Sequence, residues 1–292
     1  DLFTYDSVHG RWPGKVKING PHSFTVDGTE IHTLEERDPS KLPWKKLDVD
    51  LVFDCTGVFR TKEKLQPHID AGAGKVLLSA PPKDDMKQFV KGINDDHYQG
   101  EEIVSMASCT TNCLAPMVKV LLDDFGFKRG FMTTVHAYTN DQVVLDSSHK
   151  DLRRARAAAV NIVPTTTGAT KATGVVIPEV KGKITGMCLR VPVADGSITD
   201  LTAELGKQVT VDDLNNAFRK AAAGHFKGII EYTQDPIVSS DIIGNEHSCI
   251  LDGQATMVLG DKSDFVKVLG WYDNEWGYSV RMLEFADLML RK

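Results

Sequence analysis

From residue 51 to residue 82 the chain reads Leu-Val-Phe-Asp-Cys-Thr-Gly57, a helix-forming run from Lys62 to Ala71, then Lys75-Val-Leu-Leu-Ser79 stopped by Pro81-Pro82. Strand, helix and strand within about 30 residues make a βαβ unit, which requires a parallel sheet with a helix on its face. Ile103-Val-Ser-Met106 adds a short strand that runs into Ser108-Cys109. Beyond it the pattern changes. Gly130 to Tyr138, Ile184 to Pro192, Ile198 to Leu205 and Asp264 to Tyr272 read as long strands mostly without helices between them, and Asp212 to Ala223 reads as a helix. Such strands predict an antiparallel or mixed sheet. After Glu275, Val280, Leu283, Ala286 and Leu290 fall at helical spacing and predict a C-terminal helix. The expected fold is α/β, a parallel-sheet domain joined near residue 108 to an α+β domain with a mostly antiparallel sheet. The 292 residues are enough for roughly two domains.

Composition removes several function classes. Lys and Arg number 34 against 40 Asp and Glu, a net charge of −6, so no overall basic field calls for nucleic acid or an anionic membrane. The uncharged stretch from Ile103 to Val118 is broken by Ser, Thr, Asn and Pro. It is also shorter than the roughly 20 apolar residues a bilayer requires. Cysteines stand at 55, 109, 113, 188 and 249, with no C-x-x-C pair. That set fits a reduced, cytoplasmic compartment and argues against disulfides and a structural zinc site, so no metal is expected. The start at Asp1-Leu-Phe-Thr-Tyr5 has none of the features of a signal peptide.

Gly72-Ala-Gly-Lys75 imitates a phosphate loop, but Val76 follows the lysine and Ile69 stands where the first glycine belongs, so it reads as a turn before a strand. No G-x-G-x-x-G occurs in the chain. Ser108-Cys-Thr-Thr-Asn-Cys113 is more informative. It precedes apolar residues at Leu114, Met117, Val118, Leu121, Leu122 and Phe125, closed by Gly126, with Pro116 expected in the first turn or at a kink near it. Cys109 therefore falls at a helix N-terminus, where free N–H groups favour thiolate and bring a thiol below its usual value of about 8.5. Cys113, one turn on, faces the apolar side and reads as a small buried hydrophobe. His136, near the end of a strand and followed by the polar Thr139-Asn140-Asp141, is the candidate base. Lys150 to Arg156 and Thr165-Thr-Thr-Gly168 combine cationic forks with hydroxyl and N–H donors, and Arg190 lies alone on an apolar strand. Two anion sites beside a reactive thiol point to a phosphorylated carbonyl substrate.

Ser108 to Cys113, His136-Ala-Tyr-Thr-Asn140, Asp151 to Arg156, Pro164 to Gly168 and Trp271 to Ser279 together resemble the phosphorylating glyceraldehyde-3-phosphate dehydrogenases. Tyr5 to Gly10 and Glu36 to Ser40 extend the resemblance to the start of the chain. It implies a Rossmann-type dinucleotide domain at residues 1–108 and 275–292, a catalytic domain at 109–274, a homotetramer, and NAD, with NADP as a second acceptor. It implies oxidation of D-glyceraldehyde 3-phosphate to 1,3-bisphosphoglycerate through a Cys thioester. Carried over by position, Cys109 is the nucleophile and His136 its base. Ser108, Thr110, Thr139, Arg154, Thr167, Gly168 and Arg190 would bind substrate phosphate and inorganic phosphate. Arg37, Thr56, Gly57, Ser79 and Asn274 would contact the dinucleotide, Asn274 at the nicotinamide carboxamide.

Three departures qualify the match. The strand, glycine-rich turn and acidic residue that open the family's dinucleotide domain have no counterpart after Asp1. That implies an N-terminally truncated domain with weak dinucleotide binding. Met106 stands where Asn is common, and Ser147-Ser148 replace the Leu-Pro of many NAD-specific members, a change associated with NADP use. Erythrose-4-phosphate dehydrogenase shares the Cys and His motifs and is the alternative activity. An inactive truncated form acting only through partner binding is the alternative of a different class.

Overall fold

The computed structural model describes residues 2–292. Small hairpins occupy its first part: β1 (Tyr5–Asp6) pairs with β2 (Gly10–Arg11), and β3 (Val16–Gly20), β4 (Ser23–Val26) and β5 (Thr29–His32) form a separate antiparallel sheet. These strands are mostly exposed, so no apolar run marks them in the sequence. The β4–β5 turn is Asp27-Gly28 with φ of 47° and 93°, the left-handed pair that a two-residue hairpin requires.

The βαβ unit forms as expected. Strands β6 (Leu51–Asp54), β7 (Lys75–Leu78) and β8 (Ile103–Ser105) run parallel in that order, with α1 (Lys62–Asp70) crossing between the first two. Thr61 caps α1 by accepting from the Lys64 N–H. Gly72 sits at φ 102°, and a Cβ there would lie 2.8 Å from the Lys45 Cα, which confirms a tight turn rather than a phosphate loop. Strand β6 stops at Asp54, short of Gly57, because Thr56 folds back to donate to the Asp54 carboxylate.

Helix α2 (Cys109–Phe125) follows β8, with Ser108 as N-cap and Gly126 (φ 75°) ending it. Pro116 lies inside this helix, one turn beyond the first of its two expected placements. It is buried there, and the packing around α2 outweighs the hydrogen bond its missing N–H removes. The chain continues through β9 (Phe127–Ala137), β10 (Val163–Thr165), α3 (Ala169–Val176), β11 (Ile184–Val191), β12 (Ser197–Val209) and α4 (Val211–Ala223). Then come β13 (Ile230–Thr233), β14 (Cys249–Asp252), β15 (Met257–Val258), β16 (Ser263–Tyr272) and α5 (Trp276–Arg291).

Eight of these strands form one sheet in the order β10-β11-β9-β12-β16-β14-β13, with β15 on β16. Its pairings are antiparallel except β11 with β9 and β13 with β14, so the sheet is mixed. Helix α2 lies on one face, where Leu114, Met117, Val118 and Leu121 pack with Leu201, Val268 and Cys249. Each such side chain contributes about 1.5–3 kcal/mol by burial. Helix α5 returns to the parallel sheet: Met282, Phe285 and Met289 pack with Leu77, Phe89, Tyr98 and Val104. Met106 is fully buried in that cluster, which accounts for an apolar residue at this position.

Candidate active site

The approach to Cys109 is a sharp one. Ala107 adopts φ 55°, a left-handed conformation that a residue with a Cβ rarely takes. Ser105 Oγ accepts from its N–H at 2.9 Å, and the Tyr278 hydroxyl donates to its carbonyl at 3.3 Å. The chain is thereby turned so that Ser108 caps α2 and Cys109 is its first residue. Asn112 donates through Nδ2 to the Met106 and Ser108 carbonyls, both at 2.9 Å, and ties the turn to the helix.

Cys109 Sγ lies 3.5 Å from His136 Nε2. The register of the parallel pair β9–β11 sets Arg190 directly beside His136, and Arg190 Nη1 reaches His136 Nδ1 at 2.8 Å and the Ala137 carbonyl at 2.9 Å. His136 Nδ1 is also 2.7 Å from the Ala137 carbonyl. Tyr272 stands edge-on to the imidazole, its hydroxyl bonded at 2.8 Å to both Thr110 Oγ1 and Thr134 Oγ1. Three residues named from the sequence are thus brought together, and Tyr272 completes the frame.

The electrostatics differ from the expectation of a lowered thiol. Burial pushes the Cys109 thiol up to about 11, with the Arg190 charge pulling it only partly back. Burial, with the Arg190 charge adding to it, pushes His136 down to about 3. The helix N-terminus does not by itself outweigh removal of the sulfur from water. Ionising either group alone is opposed, whereas moving one proton from Sγ to Nε2 leaves the pair with no net charge.

The expected phosphate ligands are partly engaged with the protein. Ser108 Oγ accepts from the Thr111 N–H at 3.1 Å, and the Thr110 hydroxyl is turned to Tyr272. What these two residues still offer is backbone N–H groups at the helix N-terminus, which have no acceptor within the helix. Arg154 donates from Nε to Thr165 Oγ1 at 2.8 Å and pairs with Asp141. Thr167 Oγ1 accepts from the Ala169 N–H at 3.2 Å, and Gly168 caps α3 with open space where a Cβ would be. Arg190 Nε is buried with no partner, a donor available to an anion.

A cleft of about 1050 Å³ is walled by residues of α5 and of loops that follow strands of both sheets, among them Gly57, Ser79, Tyr138, Thr139, Asn274 and Tyr278. Gly57 has φ 68° with open space on its Cβ side, so backbone and ligand can approach closely there. Asn274 is buried, and its Oδ1 accepts from Ser197 Oγ at 2.6 Å while Ser197 Oγ accepts from the Ala137 N–H at 3.1 Å. That fixes the amide orientation and turns Nδ2 into the free donor. Arg37 and Thr56 are exposed and lie outside the cleft walls. Ser197 and Tyr272 went unnamed as site residues from the sequence. Tyr272 lies within the Trp271–Ser279 motif, whereas a lone serine at a strand start carries no signal.

A thiol–imidazole pair at a helix N-terminus, with an arginine on the imidazole and a cleft nearby between the parallel-sheet and large-sheet loops, defines a thiol-dependent dinucleotide oxidoreductase. Residues 108–274 match the family model described as glyceraldehyde 3-phosphate dehydrogenase, C-terminal domain, and residues 1–62 match that of the NAD binding domain. The chain is 53% identical over 287 residues to glyceraldehyde-3-phosphate dehydrogenase 2 of Streptomyces avermitilis, covering 98% of this chain and 85% of that protein. It is 54% identical over 288 residues to the Streptomyces coelicolor enzyme, with the same coverage. The Mycobacterium avium enzyme is 53% identical over 290 residues, covering 99% of this chain and 85% of its own length. The chain belongs to the glyceraldehyde-3-phosphate dehydrogenase family.

Proposed function

We propose that the chain catalyses the NAD-linked, phosphorylating oxidation of D-glyceraldehyde 3-phosphate to 1,3-bisphosphoglycerate. The observation that carries this reading is the 3.5 Å approach of Cys109 Sγ to His136 Nε2 with Arg190 on the far side of the ring. Sulfur adds to the aldehyde carbon while its proton passes to His136 Nε2, which then hydrogen-bonds the new oxygen. Bound NAD supplies the acceptor for the electron pair whose loss turns the hemithioacetal into a thioester. Asn274, held by Ser197, offers Nδ2 to a carboxamide and keeps the ring in one orientation. Inorganic phosphate then attacks the thioester carbon, the Cys109 sulfur leaves, and the acyl phosphate is released.

Arg190 links anion binding to base strength. While it donates to Nδ1, the ring's proton sits on Nε2 and faces the thiol. Drawn toward a phosphate, Arg190 leaves Nδ1–H to donate to the Ala137 carbonyl, and Nε2 becomes the free base. In the same reading Arg154, Thr139, Thr167 and Gly168 complete the phosphate sites with the backbone at Ser108 and Thr110. Gly57, Ser79, Thr56 and Arg37 serve the dinucleotide, and residues 1–108 with 275–292 form its domain against a catalytic domain at 109–274. The exposed Ser147-Ser148 pair supports use of NADP beside NAD. A homotetramer is supported by the outer face of the large sheet, where Phe131, Met187 and Phe265 are exposed, and by Val144, Leu145 and Leu152 on the loop after Asn140. No helix is long and apolar enough to cross a membrane among the described residues, and the unpaired cysteines support a reducing cytoplasm.

The test is Cys109→Ser against Cys113→Ser. Cys113 is fully buried with Sγ 3.5 Å from the Gly270 carbonyl, away from the base. Phosphate-dependent NADH formation should fall by at least about 10³-fold in the first and stay near wild type in the second. Retention of that activity by Cys109→Ser would refute the reading.

A further inference from the structure

A second cluster lies at the rim of the cleft, where three segments remote in sequence meet. His9 comes from the β1–β2 turn, Asp195 from the β11–β12 loop, and Glu275 from the residue before α5. We propose that His9 Nε2, Asp195 Oδ2 and Glu275 Oε2 form a binding site for one divalent cation of the zinc class.

The spacing is that of ligands around an ion. His9 Nε2 is 3.4 Å from Glu275 Oε2 and 3.8 Å from Asp195 Oδ2, and the three atoms lie within 4.8 Å of one another. No hydrogen bond joins the three side chains, and the distances are ion-pair distances that a protonated His9 or a bound cation would satisfy. Ligands at about 2.0–2.2 Å from a tetrahedral centre stand about 3.3–3.6 Å apart. The Glu275 side chain, half exposed, can close the remaining gap and leaves a side open to water.

An independent observation points to a missing cation. The Asp195 side chain is fully buried, and Oδ2 has no hydrogen-bond partner. Its other oxygen is satisfied by the Gly196 N–H at 2.8 Å. The buried Asp273 carboxylate beside it already accepts from the Glu275, Trp276 and Gly244 N–H groups, and burial together with this neighbouring charge pushes the Asp195 carboxyl up to about 7. Unpaired buried carboxylate oxygens are costly, and a cation bound between the three groups would remove the cost in place of a proton.

The site is also held in place. The Asp6 carboxylate accepts from the Val8 and His9 N–H groups at 2.8 and 2.7 Å, and Trp276 packs against the His9 ring at 5.3 Å. One imidazole and two carboxylates select zinc or cobalt over calcium, which takes six to eight oxygens. Glu275 lines the cleft, and His9 and Asp195 follow its lining residues Val8 and Ala194, so the ion would pin the turn carrying His9 to the Asn274 loop.

The experiment titrates Zn²⁺ into the full chain carrying Cys109→Ser, by calorimetry, with Co²⁺ absorption as a second readout. One equivalent should bind, and the cobalt spectrum should lack a sulfur-to-metal charge-transfer band. His9→Ala, and His9→Phe, which keeps a ring against Trp276 but offers no ligand atom, should each weaken this binding about 10²-fold and remove the accompanying rise in Tm. Unchanged affinity in His9→Ala, a thiolate band, or no stoichiometric binding up to about 1 mM Zn²⁺ would each overturn the proposal.

Discussion

The two sides of the site are built by different means. On the large-sheet side, His136, Arg190 and Asn274 are each braced by a neighbouring strand or its end: Arg190 in register with His136, and Ser197 joining the Ala137 N–H to Asn274 Oδ1. On the parallel-sheet side, the Thr56-Gly57 turn hangs from a relay at the edge of a short strand. Trp44 Nε1 donates to His68 Nδ1 at 3.1 Å, which places the His68 proton on Nε2, 3.5 Å from Asp54 Oδ2; Asp54 Oδ1 then accepts from Thr56. The large-sheet side is suited to chemistry, where small displacements are costly. The other is suited to holding a ligand by backbone and a single turn.

Substitutions on the two sides should therefore separate turnover from binding and stability. The largest effect among them belongs to His136→Asn, which should lower turnover by about 10²–10⁴ and slow alkylation of Cys109 near neutral pH. An unchanged alkylation rate and pH profile would mean that the two side chains do not share a proton. Next comes Arg190→Ala, which removes both the ring's neighbour and an unpartnered buried donor. It should weaken use of substrate or phosphate by about 1.5–3 kcal/mol while leaving NAD affinity nearly unchanged. Loss of NAD binding with phosphate dependence intact would place Arg190 on the wrong ligand.

Ser197→Ala tests the brace itself. It strands the Ala137 N–H and frees the Asn274 amide to rotate, so the KM for NAD should rise about tenfold, with a smaller change in kcat. Equal KM values in variant and wild type would leave Asn274 oriented by other contacts. Asp54→Asn, on the opposite side, should change turnover least and act on stability, by about 1–3 kcal/mol. Burial pushes the Asp54 carboxyl up, but the nearby His68 imidazole and the hydrogen bonds from Thr56 outweigh it and hold it below the usual carboxylate value. A lowered value means that the stabilisation is present above the unfolded value of 3.8 and is lost as pH falls through the folded one. The Tm gap between wild type and Asp54→Asn should thus be full near neutral pH and close toward pH 3. A gap independent of pH would show that the carboxylate charge plays no part.

Much of this architecture was legible from periodicity. The apolar runs at Leu51 and Lys75, the long strands from Gly130 and Asp264, and the helix after Glu275 all appear close to their expected bounds. The hairpins of residues 5–32 were not, since exposed strands show no apolar alternation. Cys109 and His136 were legible as candidates because a thiol before a helical run and a histidine at a strand end are local patterns. Arg190 stood out because a cation on an apolar strand requires a reason.

Local order in the chain determined the elements, the position of Cys109 at the start of α2 and the partition of Cys113 into the core. Only the tertiary structure decided what those groups experience. The parallel register of β9 and β11 brings Arg190 to His136 across a gap in sequence that no spacing rule spans. Burial, a property of the assembled fold, reverses the direction expected for the Cys109 thiol from its helix terminus alone. His9, Asp195 and Glu275 become neighbours only when three loops converge, because each is an ordinary residue in its own segment and long-range packing alone sets them a few ångströms apart.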